Sequence, residues 1–270
     1  LDASDIANNW YAAVEGLERA LEALHMKYGS LTPEWIPSTD IITPLAVILV
    51  DPRFKADHHK LLEKWYWRSI FGQYFRGAPE TKIARSVREI LASDGWLGGG
   101  SVDPDAVLSY QFPSSSIDEA TKNTTVYKGL MTLMISRNAY DLGVDRRALR
   151  DVPDSEVHDH HVFPQKFLKD NGIKGVEANQ ILNRMPIWKT TNERISSYAP
   201  NVYLYSNGKC HGQVDEDLES YFGIDSSFLR EAFTTDQFQV FLEDRRERFI
   251  DMIMSATEAG DSTVISPDEE

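Results

Sequence analysis

The chain holds a single cysteine, Cys210, in 270 residues. That excludes a disulfide framework and a zinc ribbon built on thiolates, and it makes a reducing, cytoplasmic setting the expectation. Long apolar runs are also missing. The longest, around 41–50, falls well short of the roughly 20 residues a membrane helix needs, so no membrane partner is expected. No basic-then-apolar secretory segment opens the chain, and Leu rather than Met at position 1 reads as a fragment or processed chain. Positive charge is scarce, with 28 Lys and Arg against 42 Asp and Glu. A net charge of −14 argues against wholesale nucleic-acid binding, which rests on neutralising phosphates.

The distribution of charge softens that argument. Lys and Arg against Asp and Glu run 2 to 7 over 1–50, 9 to 6 over 51–100 and 6 to 10 over 101–160. They then run 7 to 3 over 161–212 and 4 to 16 over 213–270. The two basic blocks are 51–100 and 161–212, and a phosphate meets the local field rather than the total. With 41% hydrophobic residues the chain can bury one large core or two smaller ones.

Helical periodicity dominates the first half. Residues 4–28 place Ile6, Trp10, Val14, Leu17, Leu21 and Leu24 at three- and four-residue spacing, with Gly29 as a stop. A short apolar helix is expected over 43–50, a long one around 59–75 and another from Pro79 to about 92, ended by Gly95 and the run Gly98-Gly99-Gly100. Residues 104–112 and 117–140 also read as helical. After Asp151 the texture changes: 156–163 as a strand, 164–170 as a helical turn, 180–188 as a second strand, then a helix capped by Thr190 or Thr191. Helices return over 214–223, 226–233 and 235–257, the last with Phe238, Phe241, Leu242, Phe249 and Ile253 on its core face. The acidic end, 261–270, has the composition of a disordered tail.

Within the changed stretch lies His158-Asp159-His160-His161-Val162-Phe163-Pro164, followed by Asn183 and Asn192. Hydrolysis of a phosphodiester needs an activated water, a cation on the phosphate and a base held in one orientation. A neutral imidazole can take a proton from water near pH 7. His161 is the natural base and His160 with Asn192 the natural ligands of a divalent ion, Mg²⁺ or Mn²⁺. Asn183 would pin the loop carrying His161. Neighbouring residues in a regular strand face opposite ways, so both histidines can serve one site only if the strand ends or bulges there. Lys166, Lys189 and Arg194 are the nearest candidates for DNA phosphates.

The segments His160-His161-Val162-Phe163-Pro164, Asn183-Arg184-Met185-Pro186-Ile187 and Asn192-Glu193-Arg194-Ile195, with Pro200 and Tyr203-Leu204 beyond, resemble the HNH (His-Me finger) nuclease domain at the C-terminus of GmrSD-type modification-dependent restriction enzymes. The phosphorothioate-sensing antiphage nucleases are similar. Trp65-Tyr66-Trp67-Arg68 and Phe71-Gly72-Gln73-Tyr74-Phe75 resemble the same proteins more loosely. One departure stands out: the family commonly has an acidic residue before the base, where this chain has His160, as in colicin-type HNH nucleases. The resemblance implies a mainly α-helical fold with an embedded ββα-metal motif. Residues 1–150 would be a helical scaffold, 151–212 the nuclease core and 213–270 C-terminal helices with an acidic tail. It further implies cutting or nicking of DNA, modified or unmodified, in bacterial defence, with a nucleotide-hydrolysing sensor domain N-terminal to this region in the same protein.

Plainer readings stand beside these. The chain could instead be a catalytically silent helical module that binds a partner protein through its acidic C-terminal face, or, less favoured, a zinc hydrolase using His158, His160 and His161. His158 is favoured as a strand-face histidine, His58-His59 as a solvated helix start, and Cys210-His211 as a loop thiol and its neighbour. The aromatics between Trp65 and Phe75 are mostly core, leaving Arg68 and Arg76 to reach a phosphate. Asp215-Glu216-Asp217 suits a helix start.

Overall fold

Helices carry most of the chain in the computed structural model, which describes residues 2–151, 156–173, 175–231, 233–258 and 264–265. The chain divides into two units. One comprises 1–27, 36–114 and 253–270, the other 28–35 and 115–252. Among the described residues no helix is long and apolar enough to cross a membrane.

In the first unit the helix Ala3–Met26 starts at a capping box in which Asp2 accepts from the Asp5 amide. Its buried residues are Gly16, Ala20 and Leu24. The face marked by Ile6, Trp10, Leu17 and Leu21 is not the core face: these residues are 52%, 59%, 45% and 49% exposed. The reason is the close approach of the helix Ile42–Val50. A Cβ on Gly16 would stand 2.7 Å from the Ala46 carbonyl oxygen, so small residues, not large ones, define the contact. The helix His58–Phe71 buries Trp65, Tyr66, Trp67, Ile70 and Phe71. Its Arg68 is spent within the fold, donating to the carbonyls of Val107 at 2.7 Å, Thr257 at 2.8 Å and Glu258 at 2.9 Å. The helix Pro79–Leu91 has proline in its first turn. Residues 104–112 form only the short helix Asp105–Leu108 and then the strand Phe112–Pro113, which pairs in parallel with Val264–Ile265. The rest of 261–270 lies outside the described residues.

The second unit contains an antiparallel pair, Val157–His161 with Arg184–Trp188. In register, His158 faces Ile187, His160 faces Met185 and His161 faces Arg184. Residues 180–188 are thus a 3-10 turn, Ile181–Asn183, leading into a strand. The helix Lys189–Ile195 follows at once with Trp188 at its N-cap, so neither Thr190 nor Thr191 caps it. Thr191 instead donates its hydroxyl to buried Asp141. The expected 117–140 helix breaks into Ser115–Asp118 and Thr125–Ser136, the latter packed on the second strand. On Val214–Phe222, Asp217 is buried and accepts from Arg146 at 2.7 and 3.0 Å, a tie across the fold rather than a helix-start charge in water. In the helix Thr235–Thr257, Phe238, Phe241, Leu242 and Phe249 are buried as the spacing required.

Candidate active site

The strand Val157–His161 stops at the last of its three histidines because Val162 and Phe163 turn away into Pro164. That turn is held from several sides. The Val162 amide donates to the Asn183 carbonyl at 2.9 Å, and Tyr203 donates its hydroxyl to the Val162 carbonyl at 2.8 Å. The buried Asn183 carboxamide accepts from the Phe163 amide at 2.8 Å and donates to the carbonyls of Phe163 at 3.0 Å and Ala178 at 2.9 Å. A fully buried carboxamide with its bonds made is rigid, since leaving any unmade costs about 1–3 kcal/mol. Because the ladder ends here, His160 and His161 line one cavity of about 190 Å³, together with Asp159, Pro164, Gln165, Lys166, Asn192, Ser196 and Ser197.

His160 is 3% exposed, and its Nδ1 stands 2.8 Å from Oδ1 of Asn192 on the adjoining helix. Its ring meets Tyr203 edge-on at 5.9 Å, while its Nε2 is buried without a hydrogen-bond partner. Burial pushes its pKa down to about 3, so the ring is neutral and keeps a lone pair at physiological pH. The Asn192 amide nitrogen lies 3.5 Å from Nδ1 of His158. Among the described residues no three His, Cys, Asp or Glu side chains gather as a metal cluster.

His161 is half-buried, and its Nε2 stands 3.1 Å from Oδ1 of Asn179. The same oxygen accepts from Gln165 at 2.6 Å and from Arg184 at 2.9 Å. With Oδ1 as acceptor, Nε2 of His161 is the protonated nitrogen and Nδ1 carries the lone pair. Burial first, then the positive charge of Arg184, lowers the pKa of His161 below its ordinary value. Arg184 is paired with Asp159 at 3.1 Å, and Tyr127 donates to the same carboxylate at 2.6 Å.

Three supporting residues were not read from the sequence. Asp141, buried, accepts from the Trp188 amide at 2.7 Å, the Thr191 hydroxyl at 2.5 Å and the Gly143 amide at 2.8 Å, and so fixes the strand-to-helix step that delivers Asn192. A Cβ on Gly143 would come within 2.4 Å of the Thr191 oxygen, which keeps that position glycine. Arg245, fully buried, donates to the carbonyls of Leu182 and Arg184 at 2.6 Å each, on either side of Asn183. Burial pulls its pKa down to about 9. A cation in the apolar stripe Phe238–Phe241–Leu242–Phe249 was the available signal for it. Asn179, whose carboxamide rather than that of Asn183 touches the His161 ring, carried no signal beyond its proximity.

Of the phosphate candidates, Lys166 lines the cavity and bonds Asp170 at 2.6 Å. Lys189 and Arg194 sit on the adjoining helix and do not line it. Cys210 is half-buried, and burial pushes its thiol up to about 12, away from a reactive thiolate.

No protein-family model matches the chain, and no solved structure matches it. A stretch of 180 residues is 26% identical to an uncharacterized protein of Methanocaldococcus jannaschii, covering 63% of this chain and 29% of that protein. The chain therefore spans less than a third of the length of this archaeal relative.

Proposed function

We propose that this chain is a metal-dependent DNA endonuclease or nickase domain of the HNH type, hydrolysing phosphodiester bonds in bacterial defence. The observation that carries the reading is the 2.8 Å approach of His160 Nδ1 to Asn192 Oδ1 beside His161, all in one open cavity. Two ligand atoms about 2.1 Å from one ion, at a right angle, stand roughly 3 Å apart. The pair has the spacing of two ligands of one ion; because Oδ1 accepts from Nδ1–H as the ring now stands, coordination through Nδ1 requires the neutral ring to carry its proton on Nε2 instead. His160 and Asn192 would hold Mg²⁺ or Mn²⁺, leaving the cavity side for water and phosphate. When bound, the ion supplies Lewis-acid stabilisation of charge on the scissile phosphate and its leaving 3′ oxygen.

The chain's own residues do the rest. Asn179 fixes the Nε2–H of His161, which directs the Nδ1 lone pair to the attacking water. The lowered pKa keeps that nitrogen free of a proton at neutral pH. Asn183 and Tyr203 hold the turn behind His161, and Asp141 and Arg245 hold the second strand and its helix. Lys166, with Lys189 and Arg194 further out, would meet flanking phosphates in the basic 161–212 block. The proposed partners are DNA, modified or unmodified, and a nucleotide-hydrolysing sensor domain N-terminal to this region.

The test is nicking of supercoiled plasmid with Mg²⁺ or Mn²⁺. His161→Ala should lose about 10²–10⁴-fold in rate, the contribution of a positioned base. Equal rates would remove His161 from that role. A second reading, a silent interaction module, draws on the exposed apolar face of Ala3–Met26 and on the His160–Asn192 contact, which is a hydrogen bond without any ion. It predicts no divalent-ion binding dependent on those two residues.

A further inference from the structure

A second cavity of about 270 Å³ lies in the same unit, lined by Trp35, Lys122, Asn123, Tyr127, Met131 and Asp159 among others. Asp159 also lines the cavity of His160 and His161, so the two hollows share a wall. We propose that this second cavity receives a nucleobase unstacked from the DNA strand lying across His160 and His161. The proposal rests on the nuclease reading above.

The lining chemistry is that of a base site. Tyr127 and Met131, both nearly fully buried, supply an apolar floor, and half-exposed Trp35 supplies an aromatic face at its edge. Aromatic side chains bind bases through stacking, whatever the sequence. Asn123, exposed, offers both a donor and an acceptor to a base edge. The Asp159 carboxylate is held in place by the Tyr127 hydroxyl and Arg184, ready to accept from an exocyclic amino group. Lys122, also exposed, brings a cation to the phosphate that enters with the base. The volume lies just below the roughly 300–1,000 Å³ typical of small-molecule sites, which suits one base rather than a folded segment. Adjacency in the strand does the placing: Asp159 and His160 are consecutive, so the base site would sit beside the phosphate to be cut. Enzymes that do chemistry on a base extrude it into a pocket lined by aromatic and apolar side chains with polar groups for its edge.

The experiment measures binding of deoxyadenosine 5′-monophosphate, and of inorganic phosphate alone, by saturation-transfer NMR and titration. Wild type, Trp35→Ala and Trp35→Phe are compared, each first shown by thermal melting to be folded. Trp35→Ala should weaken the nucleotide roughly tenfold, and Trp35→Phe should restore most of it. Phosphate alone should bind far more weakly than the nucleotide. No nucleotide binding to wild type, no effect of Trp35→Ala, or phosphate binding as well as the nucleotide would each overturn the base site. Plasmid nicking separates the two readings. His161-dependent nicking without a Trp35-dependent nucleotide sinks the pocket alone. Trp35-dependent binding in a protein that nicks nothing keeps a nucleobase site and sinks the nuclease reading.

Discussion

Among the described residues, the polar side chains buried in the first unit are all hydroxyls: Ser69, Ser86, Ser114 and Thr257. Those buried in the second unit include Asp141, His160, Asn183, Asp217 and Arg245. The first unit is built as a core, with Tyr66, Trp67, Phe71 and Phe112 packed edge and face in succession and Trp65 edge-on to Phe75. The second spends buried charge and carboxamides on holding backbone: Arg245 on two carbonyls, Asp141 on two amides and a hydroxyl, Asn183 on both ends of Phe163. Desolvating such groups costs free energy that apolar packing would not. A fold keeps them where geometry must be fixed, and here they surround His160, His161 and Asn192. That contrast is what substitutions can break or sharpen.

The largest effects are expected from Arg245→Met and Trp65→Ala, each destabilising by about 3–5 kcal/mol, through carbonyls left unpaired in one case and a cavity in the other. Chemical denaturation measures both. The difference lies in function. Arg245→Met should weaken divalent-ion binding in the fraction that remains folded, and Trp65→Ala should not. Equal effects on ion binding would erase the contrast between the units.

Acid should act next, and through the second unit. His160 takes a proton near pH 6.5 when unfolded but only near 3 when folded. Its contribution to stability is therefore complete above about pH 6.5 and is lost as pH falls from there toward 3. In metal-free buffer the melting temperature of wild type should drop more steeply over that window than that of His160→Gln. Parallel slopes would mean the ring is not held neutral.

Asp141→Asn puts an NH₂ group either against the Trp188 amide or against the Gly143 amide and Thr191 hydroxyl, and should cost about 1–3 kcal/mol. It should also weaken ion binding, because the helix bearing Asn192 loses its anchor. Unchanged ion affinity at reduced stability would make Asp141 a fold residue only. The smallest structural effect is expected at Lys166, whose exposed pair with Asp170 is worth at most about 0.5 kcal/mol. Lys166→Ala should leave the melting temperature unmoved while lowering the salt slope of DNA binding by about 1.

How much of this was legible beforehand follows the same division. Spacing located the helices Ala3–Met26, Pro79–Leu91 and Thr235–Thr257, because hydrophobic contrast repeats with the helical period. It could not say which face of Ala3–Met26 is covered. Periodicity reads large apolar residues, whereas a close helix crossing needs small ones such as Gly16 and Ala20. In the second unit, His160, His161 and Asn192 line one cavity, while Asn183 bonds the backbone of Phe163 and Ala178 behind it. Their supports, Asp141, Asn179 and Arg245, are ordinary residue types brought in from up to 63 positions away. Only packing reveals which donor they meet.

The claim beneath all of this is that His160 and Asn192 converge to hold one divalent ion. Calorimetric titration of Mn²⁺ into wild type, His160→Ala and Asn192→Ala tests it directly. The account predicts a single site in wild type, weakened at least about tenfold in each variant. The same affinity in all three proteins, or no binding to wild type, would contradict it.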